Sequence, residues 1–398
     1  MNVLPQRNPM KDRVAITGLG RSPYTRDRNV TELTMVLEAA TRAIKDAGLT
    51  ADQIDGVVGG GLHTGGIDPA IVASALGLPS VTYWTTARPP IGNHLTAAVN
   101  AVWSGTANAV LVYHSVYRLG RGPFRERAAV GLADGRAMFG DGHTEAEPYG
   151  MFGPIGYAAW AERYLATYNR TRQDFGLVAL NGRANAADNP NAVMSAPLTM
   201  DGYLEGRMIR EPLCIYDMDV PIDGADAFVV TTAESATDAP NRPVLIHALS
   251  MGLTDHPEEH LTASFDRTGQ TVSADALLNR SDLGTNDFDV LFPYDGFSLI
   301  TLHCLESYGF CKPGEGGDFL REHWDDSRGR VMIDGKVPIN PHGGSLSEGG
   351  TQGAGHLHEA VLQLRGESGD RQVPHAASVL VTPGGLFFNA QGIVLRTS

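Results

Sequence analysis

Asn340-Pro341-His342-Gly343-Gly344-Ser345-Leu346-Ser347-Glu348-Gly349-Gly350-Thr351-Gln352-Gly353-Ala354-Gly355 is the most informative stretch of this 398-residue chain. It holds six glycines and lies between a strand signal and a helix signal over 356–365, where Leu357, Ala360, Val361 and Leu364 share one face. Glycines at such a junction let backbone approach a ligand closely and turn N–H groups toward developing negative charge. That pattern reads as a binding loop rather than a surface linker. No Gly-Lys-Ser/Thr follows, so it is not a Walker A loop, and no G-x-G-x-x-G opens a dinucleotide-binding unit.

Outward from the loop, apolar strands alternate with single helices. Val14-Ala15-Ile16 reads as a buried strand, and Thr31 as the cap of a helix whose Leu33, Val36, Leu37, Ala40, Ala43, Ile44 and Ala47 form one stripe stopped by Gly48. Strand signals recur at Val57-Val58, Ala109 to His114, Ala227 to Val230, Val244 to Ile246, Val290 to Phe292, Val379 to Val381 and Ile393 to Leu395. A helix is expected from Leu95 to Trp103 and another from Phe297 to Tyr308. This grammar predicts α/β layering. It appears twice, which predicts a duplicated fold with halves at 1–240 and 241–398 and an insertion at about 116–212 in the first.

Composition narrows the class. Hydrophobic residues make up 42% and charged residues 19%, and 31 Lys plus Arg against 45 Asp plus Glu give a formal charge of -14. That balance argues against nucleic acid and anionic membranes as partners. Cys214, Cys304 and Cys311 form no CxxC pair, so neither a disulfide framework nor a Cys-rich zinc site fits. No signal-peptide pattern or membrane span is read, and a cytoplasmic, reducing setting is expected. His256-Pro257-Glu258-Glu259-His260 matches an inverted zinc-protease pattern, but it reads as a charged surface turn and no metal site is expected.

The 340–355 loop resembles the C-terminal signature of thiolases. Arg183-Ala184-Asn185-Ala186, Asn189-Pro190, Pro212-Leu213, Asp223-Gly224-Ala225, Tyr294-Asp295-Gly296-Phe297 and the run from Leu305 to Cys311 resemble the sterol-carrier-protein type of thiolase. The resemblance covers nearly the whole chain. It implies a duplicated five-layer αβαβα fold with an inserted loop domain, and an acyl-CoA ligand.

The departures decide the chemistry. The thiolase nucleophile window is here Thr86-Ala87-Arg88-Pro89-Pro90-Ile91-Gly92, without a cysteine. The family's Gly-His-Pro falls on Gly349-Gly350-Thr351, its second cysteine falls near Thr382-Pro383-Gly384-Gly385, and Tyr294 opens the central motif. Covalent acyl transfer needs an activated thiolate and a base. The three cysteines present read as structural. Phe292-Pro293-Tyr294-Asp295-Gly296-Phe297 and Gly343 to Gly349 instead resemble the cysteine-less aldolases of steroid degradation. Those enzymes cleave a β-hydroxyacyl-CoA and work with a small OB-fold, zinc-ribbon subunit, to which any zinc would belong. Their glycine loop carries a second active-site tyrosine, where this loop offers His342.

The expectation is therefore an acyl-CoA lyase, a homodimer joined to such a partner, with CoA entering as part of the substrate and no cofactor held by this chain. Tyr294, His342, Asp295 and Glu348 are the candidate proton-moving groups, with His342 as base and Tyr294 as acid or oxyanion donor, or the reverse. Gly343, Gly344, Ser345, Gly349, Gly350, Gly384 and Gly385 are candidate backbone donors, and Arg118 and Arg121, from a cluster with Arg125, Arg127 and Arg136, candidate CoA-phosphate ligands. A thiolase-like acyltransferase and a catalytically silent acyl-CoA-binding subunit are the alternatives.

Overall fold

A computed structural model describes residues 7–26, 30–61, 66–119, 154–255 and 262–398. Along the first half run β1 (Val14–Arg21), α1 (Glu32–Asp46), β2 (Gly56–Gly61), α2 (Pro69–Leu76), β3 (Tyr83–Thr86), α3 (Ile91–Trp103), β4 (Ala109–Tyr117) and β7 (Asp223–Thr232). Between β4 and β7 stand α4 (Pro154–Tyr168), α5 (Arg172–Ala186), the short α6 (Met200–Leu204) and the hairpin β5 (Met208–Arg210) with β6 (Leu213–Cys214). The second half has β8 (Val244–Gly252), α7 (Gly269–Leu278), β9 (Val290–Pro293), α8 (Ser298–Ser307), α9 (Gly316–Glu322), α10 (Ala354–Arg365), β13 (Ser378–Thr382) and β14 (Ala390–Thr397). A small sheet of β10 (Trp324–Asp325), β11 (Arg330–Ile333) and β12 (Val337–Pro338) precedes the glycine loop.

The main strands form one sheet in the order β3-β2-β4-β7-β1-β8-β14-β13-β9. The order is nearly a palindrome. β2 and β4 are parallel, as are β9 and β13; β4–β7–β1 are antiparallel, as are β13–β14–β8. The halves join where β1 meets β8 through Ala15–Leu245 and Ile16–Val244. One device fixes the equivalence residue by residue. Asp55 accepts the N–H groups of Asn108 and Ala109, and Asp289 those of Ala377 and Ser378. Each aspartate immediately precedes its strand, so Gly56 corresponds to Val290 and, four residues on, Gly60 to Tyr294.

Side chains alternate across the strands and divide the core into layers. Val58, Val110 and Val112 join Val290, Phe292, Val379 and Val381 around Leu95, Ala98 and Val99 of α3 and Leu357, Ala360, Val361 and Leu364 of α10. Helices α3 and α10 thus lie between the halves. Val57 and Leu111 face the other way, against α1 and α2. Leu291, Leu380 and Val394 face α7 and α8, with α4 and α5 packed beyond. This is the expected αβαβα arrangement. Two details differ from expectation. Edge strand β3 is only four residues long and none of them is buried, so it carries no apolar run to mark it. Helix α3 begins at Ile91, a turn earlier than the apolar stripe suggests, because Pro90 serves as its N-cap residue.

Candidate active site

The equivalent helices α3 and α10 bring their N-termini together. The Ile91 N–H, first in α3, donates to the Gln352 carbonyl at 3.2 Å, just ahead of α10. Pro89 and Pro90 occupy the entrance to α3, so no sulfur stands there. Burial raises Cys214 to about 11 and Cys304 and Cys311 to about 12, and Cys304 Sγ is engaged with Thr382 Oγ1 at 3.3 Å. None of these thiols is poised as a thiolate at neutral pH.

Tyr294 follows β9 and is tied to the end of β13 by its N–H, which donates to Thr382 O at 3.0 Å. Its hydroxyl accepts a hydrogen bond from Gln352 Nε2 at 3.3 Å. Gln352 has φ +53°, a left-handed conformation uncommon outside glycine and maintained here between helix termini. Burial, reinforced by Asp219, raises the Tyr294 phenol well above its ordinary range, with Arg118 opposing. Arg118 pairs with Asp219 at 3.0 Å. Burial works against the guanidinium charge, but Asp219 and Tyr294 more than offset it, and the net shift is upward. The segment carrying Asp219 is clamped to the site: Asp219 N–H donates to Gly296 O, Val220 N–H to Ser345 O, and Gly350 N–H to Val220 O, at 2.9 to 3.1 Å. Tyr294, Gln352, Gly350, Arg118 and Asp219 therefore form one cluster.

The other expected groups lie beneath the loop with partners of their own. Asp295 accepts the Ser345 N–H at 2.7 Å, the Leu346 N–H at 3.2 Å and His356 Nε2 at 3.0 Å. Glu348 Oε1 accepts from Arg21 at 2.7 Å and Asn189 at 3.1 Å, and Arg21 also binds Asp226. His342 is fully buried, neither ring nitrogen has a hydrogen-bond partner among the described residues, and burial, with His356 and Arg21 adding, drives its basicity well below the usual histidine range. Ring contacts run from Tyr294 to His356 at 5.9 Å and from His356 to His342 at 4.8 Å. His342 thus lies on the far side of His356, and Asp295 and Glu348 are anchors that fold the loop.

The glycine loop uses its N–H groups internally. Gly343 donates to Asn340 O, Glu348 and Gly349 to Gly344 O, and Ser345 to Asp295. The oxyanion donors expected from 343–350 are largely spent in this way. By contrast, no hydrogen bond among the described residues uses the N–H of Gly384 or Gly385. Arg118 pairs with Asp219 in the cluster; Arg121, Arg125, Arg127, Arg136, His256 and His260 lie outside the described residues. Sequence reading passed over Asp219, His356 and Gln352. Only Gln352 had a signal, its place inside the loop.

Comparison with known proteins follows the same line. Residues 253–397 match the family described as thiolase C-terminal domain-like. The chain is 31% identical to a 17-hydroxy-3-oxo-4-pregnene-20-carboxyl-CoA lyase of Mycobacterium tuberculosis, over 94% of this chain and 97% of that protein. It is 32% identical to a steroid side-chain-cleaving aldolase of Thermomonospora curvata, over 96% of each. The solved structure of an Ltp2-ChsH2(DUF35) aldolase superposes with a TM-score of 0.85 at 28% identity, covering 98% of both chains.

Proposed function

The chain belongs to the thiolase superfamily, in the branch of the side-chain-cleaving aldolases, and on that footing we propose that this carbon–carbon lyase splits a β-hydroxyacyl-CoA with a bulky, steroid-like acyl group into a ketone and a shorter acyl-CoA. The β-hydroxyl loses its proton, the Cα–Cβ bond breaks, and its electron pair passes into the thioester as an enolate. The observation that carries the reading is the cluster itself. Where a thiolase has a sulfur this chain has prolines, and a buried phenol, protonated at neutral pH, is joined through Gln352 to the first residue of the helix they open.

Tyr294 then donates to the thioester oxygen as charge develops there, with the Gly384 and Gly385 N–H groups as further donors. A well-placed donor of this kind contributes about 3–4 kcal/mol to the transition state. Gln352 donates to the Tyr294 oxygen, which leaves the phenolic hydrogen available to substrate. CoA enters as part of the substrate. The solved relative is an Ltp2-ChsH2(DUF35) aldolase, and we take a small DUF35-type protein as this chain's partner, on a homodimer, in the cytoplasm. Among the described residues no helix is long and apolar enough to cross a membrane.

The test is to mix the purified chain, with and without a DUF35-type partner, with a tertiary β-hydroxyacyl-CoA and measure ketone and shortened acyl-CoA. Equimolar release of both is expected. Binding without release, or a labelled acyl-enzyme, would replace the lyase with a silent subunit or a transferase.

A further inference from the structure

Resting on the lyase reading, we infer that Asp219 is the general base that takes the β-hydroxyl proton, with Arg118 as its positioning residue. The key is the space over Gly350. A Cβ at Gly350 would come within 2.3 Å of Asp219 Oδ2 and 2.8 Å of Arg118 Nη1. The absence of a side chain at 350 is what lets the ion pair lie directly against the loop. Real Cβ contacts do not approach so closely, and the clamp on Val220 keeps the segment from moving away. The two side chains retain 20% and 14% exposure, whereas those of Asp295, Glu348 and His342 retain 2% or less. Among the described carboxylates and imidazoles around Tyr294, Asp219 is thus the one that combines proximity with access.

The geometry divides the labour. Gln352 occupies the Tyr294 oxygen, and the Asp219–Arg118 pair lies near enough for both its charges to act on the phenol. A substrate hydroxyl against Gly350 meets a carboxylate oxygen, while the thioester oxygen is left for the phenol. The step balances within the substrate. Asp219 accepts the hydroxyl proton, the O–H electron pair becomes the second bond of the ketone, and the Cα–Cβ pair forms the enolate. Return of that proton to Cα gives the shortened acyl-CoA and restores the carboxylate. Arg118 spans Asp219 Oδ2 from one nitrogen at 3.0 Å, holding the base without consuming both its oxygens.

The test uses the full chain with its DUF35-type partner and a tertiary β-hydroxyacyl-CoA that the wild type cleaves. Asp219→Asn is expected to lower kcat at least a hundredfold with KM changed less than threefold. Retention of more than a tenth of kcat overturns the assignment. Because the single change leaves the half-buried Arg118 charge unmatched, the double variant Arg118→Met with Asp219→Asn is made alongside, with circular dichroism and thermal unfolding. A folded but inactive double variant supports the base; a folded and active one removes it. A wild type that cleaves no such substrate sinks the lyase reading and this assignment together, whereas an active wild type with an active Asp219→Asn sinks only the assignment.

Discussion

Gly60 and Tyr294 occupy equivalent points in the two halves, and so do Gly61 and Asp295. Each point faces the first turn of a central helix that carries a histidine. In the second half His356 of α10 donates to Asp295, which in turn holds the loop backbone. In the first half Gly61 takes the place of Asp295, so among the described residues no carboxylate stands at that point. His94 of α3 brings Nε2 within 2.9 Å of where a Gly60 Cβ would stand and packs edge-on against His114, ring centroids 5.2 Å apart. No ring nitrogen of that pair has a hydrogen-bond partner among the described residues. The duplication copied strands, helices and even the aspartate ahead of β2 and β9, but at these two equivalent points polar side chains stand on one copy only. Scaffold and site are separable even inside one chain.

The sharpest way to break this asymmetry is at its centre. Tyr294→Phe should lower retro-aldol kcat a hundredfold or more, equivalent to about 3 kcal/mol of transition-state stabilisation, with the unfolding midpoint little changed. His114→Asn in the other half should leave kcat within threefold of wild type. Steady-state kinetics on both variants decides it: equal losses would mean that the His94–His114 pair shares in the chemistry.

A smaller effect, of opposite character, belongs to the first half. Burial lowers His114 from 6.5 to about 4, and burial together with His114 holds His94 well below the usual histidine range. A histidine kept neutral in the fold but free to protonate when unfolded stabilises the fold above pH 6.5, and that stability is lost as pH falls toward 4. Between pH 7 and pH 5 His114 alone should account for about 2 kcal/mol of lost unfolding free energy. Denaturant titrations at the two pH values check it: His114→Asn should flatten the pH dependence by that amount while lowering stability at both. An unchanged slope would show that His114 already titrates normally in the fold.

How far the sequence led follows from where each signal resides. The strands, the helical stripes, the glycine loop and the prolines at 89 and 90 are local patterns, and each is legible from a few neighbouring residues. The partners are not local. Arg118 and Asp219 are 101 residues apart, His356 and Asp295 are 61 apart, and nothing in Asp217-Met218-Asp219 marks which aspartate faces the site. Asp295 and Glu348 stood out because they lie within motifs, but motif membership does not distinguish a carboxylate that meets substrate from one whose oxygens hold backbone N–H groups or an arginine. His342 misleads for a related reason. A histidine opening a glycine loop is chemically suggestive, and only packing reveals that Phe292 and His356 enclose it.

The finest test concerns Gln352, which joins the two halves by accepting from Ile91 with its carbonyl and donating to Tyr294 with its amide. A phenol oxygen that already accepts from an amide keeps its hydrogen for the substrate, so Gln352 works by orientation. Gln352→Leu removes one hydrogen bond and should lower kcat roughly tenfold, about 1.4 kcal/mol, with little change in KM. Gln352→Glu is the discriminating variant. A carboxylate would accept the phenolic hydrogen, turn it away from the thioester and give the larger loss at neutral pH, and activity should recover as pH is lowered and the introduced acid becomes protonated. If instead Gln352→Glu matched Gln352→Leu at every pH, the amide would be filling space, and Tyr294 would be oriented by Arg118 and Asp219 alone.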